Sequence, residues 1–389
     1  MDVDAVVTEV ASAVGLAEGR SGVRDIMHAI ARREPVATRE VSRLAELPIP
    51  LVTAVCNELR KRGVVDRGRP VRLTPQGRAA LGAGGAGISG RCPCCGGHGV
   101  VIPDAAAPLL AEVERLSEGV PGARPELDQS HCTVSTKIRR VLRMHEAGAL
   151  ADKAIILLGD DDLTALAVAA FCRFASGSGT GGMGVRRLTV VDTDAELLAF
   201  IGDRVAGSGL DVELCQHDLR EPLPDRLLGQ FDVACTDPPY TVAGAELFLS
   251  RAVSALTADA GQHIFFSFGA RRPEETLLTQ ELIAQMGLTV RSLQPGFNEY
   301  LGAGILAGTS HLFHLRTTGV ATPLITGPYP GPLYTAERRA ATRPYRCAQC
   351  KAVHPVGPGA RWPRISELKS AGCPECAGTV FRPMPLEQR

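Results

Sequence analysis

Residues 154–158 read Ala-Ile-Ile-Leu-Leu, a continuous apolar run closed by Gly159. A strand with no polar alternation is buried on both faces, the condition found in a parallel sheet covered by helices. The segments that follow alternate in the same way. Helices are predicted over 163–174, 194–206, 243–256 and 274–286. Strands are predicted over 188–191, 212–215, 231–236, 263–268, 290–293 and 311–315. This order predicts an α/β doubly wound sheet with its site at the carboxyl ends of the strands.

The flanks have a different character. Residues 22–33, 38–44 and 49–62 carry helical apolar spacing, with Pro50 tolerated in a first turn. Residues 63–73 read as a two-stranded wing. Together they predict a winged helix, which fits DNA binding through its third helix or a dimerisation or substrate-covering module. A glycine-rich linker follows at 82–87. Next comes Cys92-Pro93-Cys94-Cys95-Gly96-Gly97-His98-Gly99, with the spacing of a zinc knuckle on Cys92 and Cys95, or of a tight turn with free thiols. At the far end, Cys347-x2-Cys350-x22-Cys373-x2-Cys376 has the spacing of a structural zinc ribbon with all four positions cysteine. The predicted organisation is therefore 1–82 winged helix, 88–102 knuckle, 103–335 catalytic domain and 336–389 ribbon.

Charge is segregated although 42 Lys+Arg balance 42 Asp+Glu. Residues 150–260 hold 17 acids against 8 Lys+Arg, whereas 20–90 hold 13 Lys+Arg against 6 acids. An acidic centre suits a cationic ligand. Near-neutral total charge disfavours nucleic acid as partner, because phosphate neutralisation supplies most of that affinity. No apolar run reaches the roughly 18 residues of a membrane span. The expected location is the cytoplasm.

The chemistry concentrates at predicted strand ends. After the first strand stands Gly159-Asp160-Asp161-Asp162-Leu163-Thr164, where a nucleotide fold usually has glycines that approach an anion. Three carboxylates repel a pyrophosphate or a donor carboxylate and favour a ligand with a positive tail. A divalent cation, or helix capping by Asp162, are the other readings. Asp192 ends the second strand, where an acid accepts from ribose hydroxyls. Asp218 follows the third, the position that reads the adenine amino group in class I methyltransferase-like folds. Asp237-Pro238-Pro239-Tyr240 follows the fourth. Its prolines fix the loop so that Asp237 and the Pro238 carbonyl can grip an amine, with the Tyr240 ring beside the cation. That arrangement suits an amine attacking a carbon next to a sulfonium.

These blocks, with Leu127-Asp128-Gln129, Arg139-Arg140 and Phe297-Asn298-Glu299-Tyr300, resemble the branched-chain polyamine synthases, the N4-bis(aminopropyl)spermidine synthases. The resemblance covers about residues 20–320. It implies a Rossmann-like, class I methyltransferase-like fold, usually a homodimer. It also implies transfer of aminopropyl groups from decarboxylated S-adenosylmethionine to the secondary amine of a polyamine. It places Asp160, Asp161 and Asp162 in the family's acidic loop, one of them acting on the amine, with Gly159 and Asp162 beside the donor. Asp128 and Glu299 would line the polyamine pocket. The ribbon and a glycine-rich insertion at 177–184 depart from the family pattern. Methyl transfer to a nucleobase amine, a ligand-sensing regulator, and aminocarboxypropyl transfer from intact S-adenosylmethionine stand as alternatives. The last needs a cation for the donor carboxylate, and only Arg139 and Arg140 could approach.

Overall fold

The structure, a computed structural model, describes residues 2–81, 92, 94–177, 184–269, 271–301, 308–334, 337, 342–357 and 359–384. The glycine-rich stretch 82–87 and most of the insertion at 177–184 lie outside the described residues. The chain divides into two units, Met1–Arg124 with Gln129–Pro330, and Pro125–Asp128 with Gly331–Arg389.

The first unit opens with five helices, α1 (Val3–Val14), α2 (Gly19–Arg33), α3 (Thr38–Ala45), α4 (Ile49–Lys61) and α5 (Pro75–Ala80). The first four share one apolar cluster that includes Val7, Val10, Ile26, Ile30, Val41, Val55 and Leu59. Helix α1 was not foreseen, although Asp2 caps its start and Gly15, at φ 64, its end. The expected two-stranded wing is reduced to isolated pairings, Val65 with Leu73 and Val36 with Val71. Gly68, Arg69 and Pro70 interrupt any longer ladder, because proline has no N–H to give.

Two helices, α6 (Ala107–Ser117) and α7 (Val134–Glu146), then lead into the sheet. Its strands are β1 (Ala154–Leu158), β2 (Arg187–Asp192), β3 (Val212–Gln216), β4 (Val233–Thr236), β5 (His263–Phe268), β6 (Leu288–Glu299) and β7 (Thr309–Thr317). Between them run α8 (Thr164–Gly177), α9 (Ala195–Val205), α10 (Val242–Ala255) and α11 (Pro273–Gln285). The strand order is β3-β2-β1-β4-β5-β7-β6. Strands β1 to β5 are parallel and β7 runs antiparallel to both β5 and β6, so the sheet is mixed. This is the class I methyltransferase-like form of the Rossmann-like fold.

Every β1 residue is buried, as its unbroken apolar run requires. Ile155 and Leu157 join the cluster built with α6, α7, α8 and α9, while α10 packs on β1 and β4. Burying each such side chain stabilises the sheet by about 1.5–3 kcal/mol. The carboxyl ends of β1, β2 and β4 consequently emerge side by side, and the next residues form the site.

In the second unit, β8 (Arg343–Cys347) pairs with β9 (Val353–Val356) and β10 (Phe381–Pro383), all antiparallel, beside a short helix α12 (Ile365–Ala371). Its core is small, with Cys347, Val356, Leu368, Cys373 and Phe381.

Candidate active site

Gly159 ends β1 at φ 72, a conformation that favours glycine. The chain then turns through Asp160, Asp161 and Asp162 before α8. Leu163 sits at φ 58, which delays the helix to Thr164. The cap is therefore Asp160, four residues before the first bonded amide, and not Asp162. Thr164 N–H donates to Asp160 Oδ1 at 2.7 Å and Ala165 N–H to Oδ2 at 3.0 Å. Burial still pushes the Asp160 carboxyl up to about 8 against those donors. Asp192 binds the same turn, taking the Asp160 N–H on Oδ2 at 3.0 Å and the Asp194 N–H on Oδ1 at 2.8 Å. Its carboxyl is raised by burial.

Asp162 and Asp237 meet on one guanidinium. Arg140, buried on α7, donates from Nη1 to Asp162 Oδ2 at 2.5 Å and from Nη2 to Asp237 Oδ2 at 3.0 Å. Its Nε is held by Asn298 Oδ1 at 2.8 Å. Asn298, fully buried on β6, is itself fixed through Nδ2 to Ser310 Oγ at 2.8 Å and Ser267 Oγ at 3.1 Å. Burial raises the Asp162 carboxyl, but the Arg140 charge, the hydrogen bonds of Asp237 and Arg140 and the Lys137 charge together hold the group below its ordinary value. Asp237 goes the other way, raised by burial and by the neighbouring Asp162. Oδ1 of Asp162 is buried without a hydrogen-bond partner among the described residues.

Asp161 is the acid of the loop that keeps an open side. It is half-buried, and its Oδ2 accepts the Ser130 N–H at 2.7 Å. Burial, then repulsion from Asp162 and Asp237, raise its carboxyl well above the usual range. A small cavity of about 20 Å³ is lined by Arg140, Gly159, Asp160, Thr164, Asp237 and Ser267, among others.

Tyr300, the last residue of the Phe297-Asn298-Glu299-Tyr300 block, joins the same network. Its hydroxyl donates to Asp237 Oδ2 at 2.5 Å and lies 2.8 Å from Ser310 Oγ. The Tyr240 hydroxyl donates to it at 2.7 Å. Burial, and then the Asp237 charge, keep both phenols protonated by raising them well above their ordinary value. The Tyr240 ring packs edge-on against Phe268 at 5.6 Å. A Cβ on Gly269 would lie 2.6 Å from that ring, so glycine is needed there. Pro238 is buried behind it.

Three expected residues remain. Asp218 is exposed and takes the Arg220 N–H on Oδ1 at 2.9 Å. Glu299 ends β6, its carboxylate 3.5 Å from Arg139, whose guanidinium lies over the Phe297 ring at 5.9 Å. Asp128 belongs to the second unit, at φ 56, with its N–H on Pro125 O at 3.2 Å.

The four ribbon cysteines converge. The sulfurs of Cys347, Cys350, Cys373 and Cys376 all lie within 4.8 Å of one another. The Cys347 thiol is drawn down to about 7, chiefly by the Cys350 backbone N–H. His354 Nε2 stands 3.2 Å from Cys373 Sγ. Cys92 is exposed and Cys95 half-buried, and among the described residues they join no group of three or more ligands.

Residues 109–317 match the family model described as the branched-chain polyamine synthase A C-terminal domain. The chain belongs to the branched-chain polyamine synthase family. The N(4)-bis(aminopropyl)spermidine synthase of Thermococcus kodakarensis is 33% identical over 275 residues, 68% of this chain and 74% of that protein. An uncharacterized protein of Methanocaldococcus jannaschii is 30% identical over 393 residues, 98% of this chain and 93% of its own. The crystal structure of the Thermus thermophilus synthase, solved with N4-aminopropylspermidine and 5'-methylthioadenosine, superposes with a TM-score of 0.67 at 25% identity. It covers 86% of this chain and 97% of that one. The acidic loop, the Asp-Pro-Pro-Tyr turn and the β6 residues of the network all lie within the span of the family match.

Proposed function

We propose that this chain is an aminopropyltransferase, moving aminopropyl groups from decarboxylated S-adenosylmethionine to the secondary amine of a spermidine-like polyamine and so branching it. The observation that carries this reading is the crowding of Asp160, Asp161, Asp162, Asp192 and Asp237 at the ends of β1, β2 and β4, with Arg140 as the guanidinium that meets two of them. A donor with a sulfonium and an ammonium, and a polycationic acceptor, supply the charge such a site lacks.

We assign the residue roles on this reading. Asp192 takes the ribose hydroxyls and the exposed Asp218 the adenine amine. Asp237 and the Pro238 carbonyl orient the attacking nitrogen, with Tyr240 flanking it. The nitrogen lone pair forms the new N–C bond as the C–S bond breaks, and 5'-methylthioadenosine leaves with the electron pair. The amine proton passes to Asp161, whose carboxyl, raised in the empty site, is ionised once the cationic donor and acceptor are bound beside it. Glu299 binds the acceptor's outer ammonium groups.

Zinc fits the four convergent cysteines. Soft thiolates in a closed set of four suit a structural ion. Cys92 and Cys95 supply half of such a set. We assign 1–82 to a winged helix, 88–102 to the knuckle, 103–335 to the catalytic domain and 336–389 to the ribbon, with a cytoplasmic homodimer as the working form.

The test incubates the protein with spermidine and either donor, decarboxylated or intact, and reads the amines by mass spectrometry. One or two added aminopropyl groups from the decarboxylated donor alone support the reading. Methylated or carboxylated products from the intact donor overturn it.

A further inference from the structure

The reaction can in principle draw on two donors that differ by one carboxylate, and the site must tell them apart. In water a carboxylate is tolerated anywhere. In a buried pocket it needs a cation whose hydrogen bonds are not already used. Among the described residues, Arg140 is the cation that meets both the acidic loop and Asp237.

Arg140 lines the cavity beside Gly159 and Asp160 and would be the natural partner. All three of its nitrogens are occupied: Nη1 by Asp162, Nη2 by Asp237, and Nε by Asn298. Thr164 Oγ1 at 3.5 Å and the Tyr300 hydroxyl at 3.4 Å close the remaining directions. Asn298 cannot swing away, because Ser267 and Ser310 hold its amide. Arg139 is turned to Glu299 and to the Phe297 carbonyl. Lys137 is buried and gives its ammonium to the Cys132 carbonyl at 2.9 Å.

We infer that Arg140, neutralised by Asp162 and Asp237 and locked by Asn298, is the donor filter: it has no free N–H to offer the carboxylate of intact S-adenosylmethionine. The inference rests on the aminopropyltransferase reading and adds the residues that choose its donor. Asp162 and Asp237 act on specificity through Arg140, as a charge balance. Changing either to the neutral amide keeps an oxygen for the guanidinium but removes one negative charge from the pocket. An anion is then repelled less there, and a cation is held less.

The experiment measures the affinity of both donors by calorimetry for the wild type, Asp162→Asn and Asp237→Asn, with thermal melts to show that each variant is folded. The wild type should bind the decarboxylated donor at least 100-fold more tightly than the intact one. In either folded variant that ratio should fall at least tenfold, with tighter binding of the intact donor as one component. A ratio unchanged in a folded variant, or one that falls only because the decarboxylated donor weakens, overturns the inference. If Asp162→Asn does not fold, Asp237→Asn decides alone. The two readings fail differently. A wild type that transfers aminopropyl groups while the variants keep the ratio sinks only the filter. A wild type that binds neither donor sinks the proposed function with it.

Discussion

Tyr300→Phe removes one oxygen from the centre of the site and little else. The hydroxyl donates to Asp237 Oδ2 at 2.5 Å and receives the Tyr240 hydroxyl at 2.7 Å. It is a positioning residue: with Arg140 it holds Oδ2, so that the other oxygen of Asp237 faces the amine. A hydrogen bond to a charged group contributes about 1.5–3 kcal/mol. If the whole amount is felt in the transition state, kcat falls roughly 10- to 150-fold. The pH profile adds a second signature. Tyr300 stabilises the ionised form of Asp237, so its loss raises that carboxyl further. The acidic limb of the profile should move to higher pH, and the deficit should be larger at pH 6 than at pH 9. The assay is product formation by mass spectrometry across that range, at saturating donor. A variant with wild-type kcat, or one slowed equally at every pH, would refute the reasoning.

Three further outcomes are expected. Gly269→Ala should displace the Tyr240 ring, since its Cβ would meet Cδ2 at 2.6 Å, and should reduce kcat at least tenfold while far-ultraviolet dichroism stays unchanged. Asp161→Asn should reduce turnover roughly 100-fold or more, yet melt at the same or a higher temperature at pH 8. The sign follows from its raised carboxyl: the folded state holds a proton the unfolded chain has lost, so the ionisable group lowers stability as pH rises, and the amide removes that penalty. The protein should carry one zinc per ribbon by elemental analysis, and Cys373→Ser should lose it; a full complement of zinc in that variant would exclude the four-cysteine site.

Much of the fold was legible because its strands are buried on both faces and therefore read as apolar runs. β1 and β5 fall where the runs end, at Leu158 and Phe268, and Asp192 closes β2 as expected. β6 was read too short, as 290–293, because Pro295 and Gly296 look like a strand end. The ladder with β7 instead skips between Gln294 and Asn298 and resumes, carrying Asn298 and Glu299 to the site. The acidic loop was recognised, but its capping residue was misjudged, because the positive φ at Leu163 shifts the helix start and no propensity signals it. The anchoring role of Arg140 was also hidden. It lies 20 positions and more before the acids it joins, on a helix whose register decides which of two adjacent buried arginines reaches the acidic loop. That depends on packing, and Arg139 and Arg140 are indistinguishable by residue type.

The local supports also explain how five carboxylates coexist at strand ends 4–6 residues long. Each acid is stabilised by a different device. Asp160 sits on the first amides of α8, where the helix dipole and two N–H groups favour a carboxylate. Asp192 takes two backbone N–H groups of its own. Asp162 has the full charge of Arg140, and is the one acid of the loop held below its ordinary value. Asp237 shares that guanidinium and gains Tyr300, yet stays raised because one positive charge cannot balance two negative ones. Asp161 has a single N–H from Ser130 and is left furthest from balance. The deficit is thus concentrated on two acids, one at the carboxyl end of β4 and one at the open side of the β1 loop. That is where a cationic donor and a cationic acceptor must meet for an amine to reach a carbon beside sulfur. The carboxylates that fix the fold and those that remain available for substrate are distinct, and Arg140 marks the boundary between them.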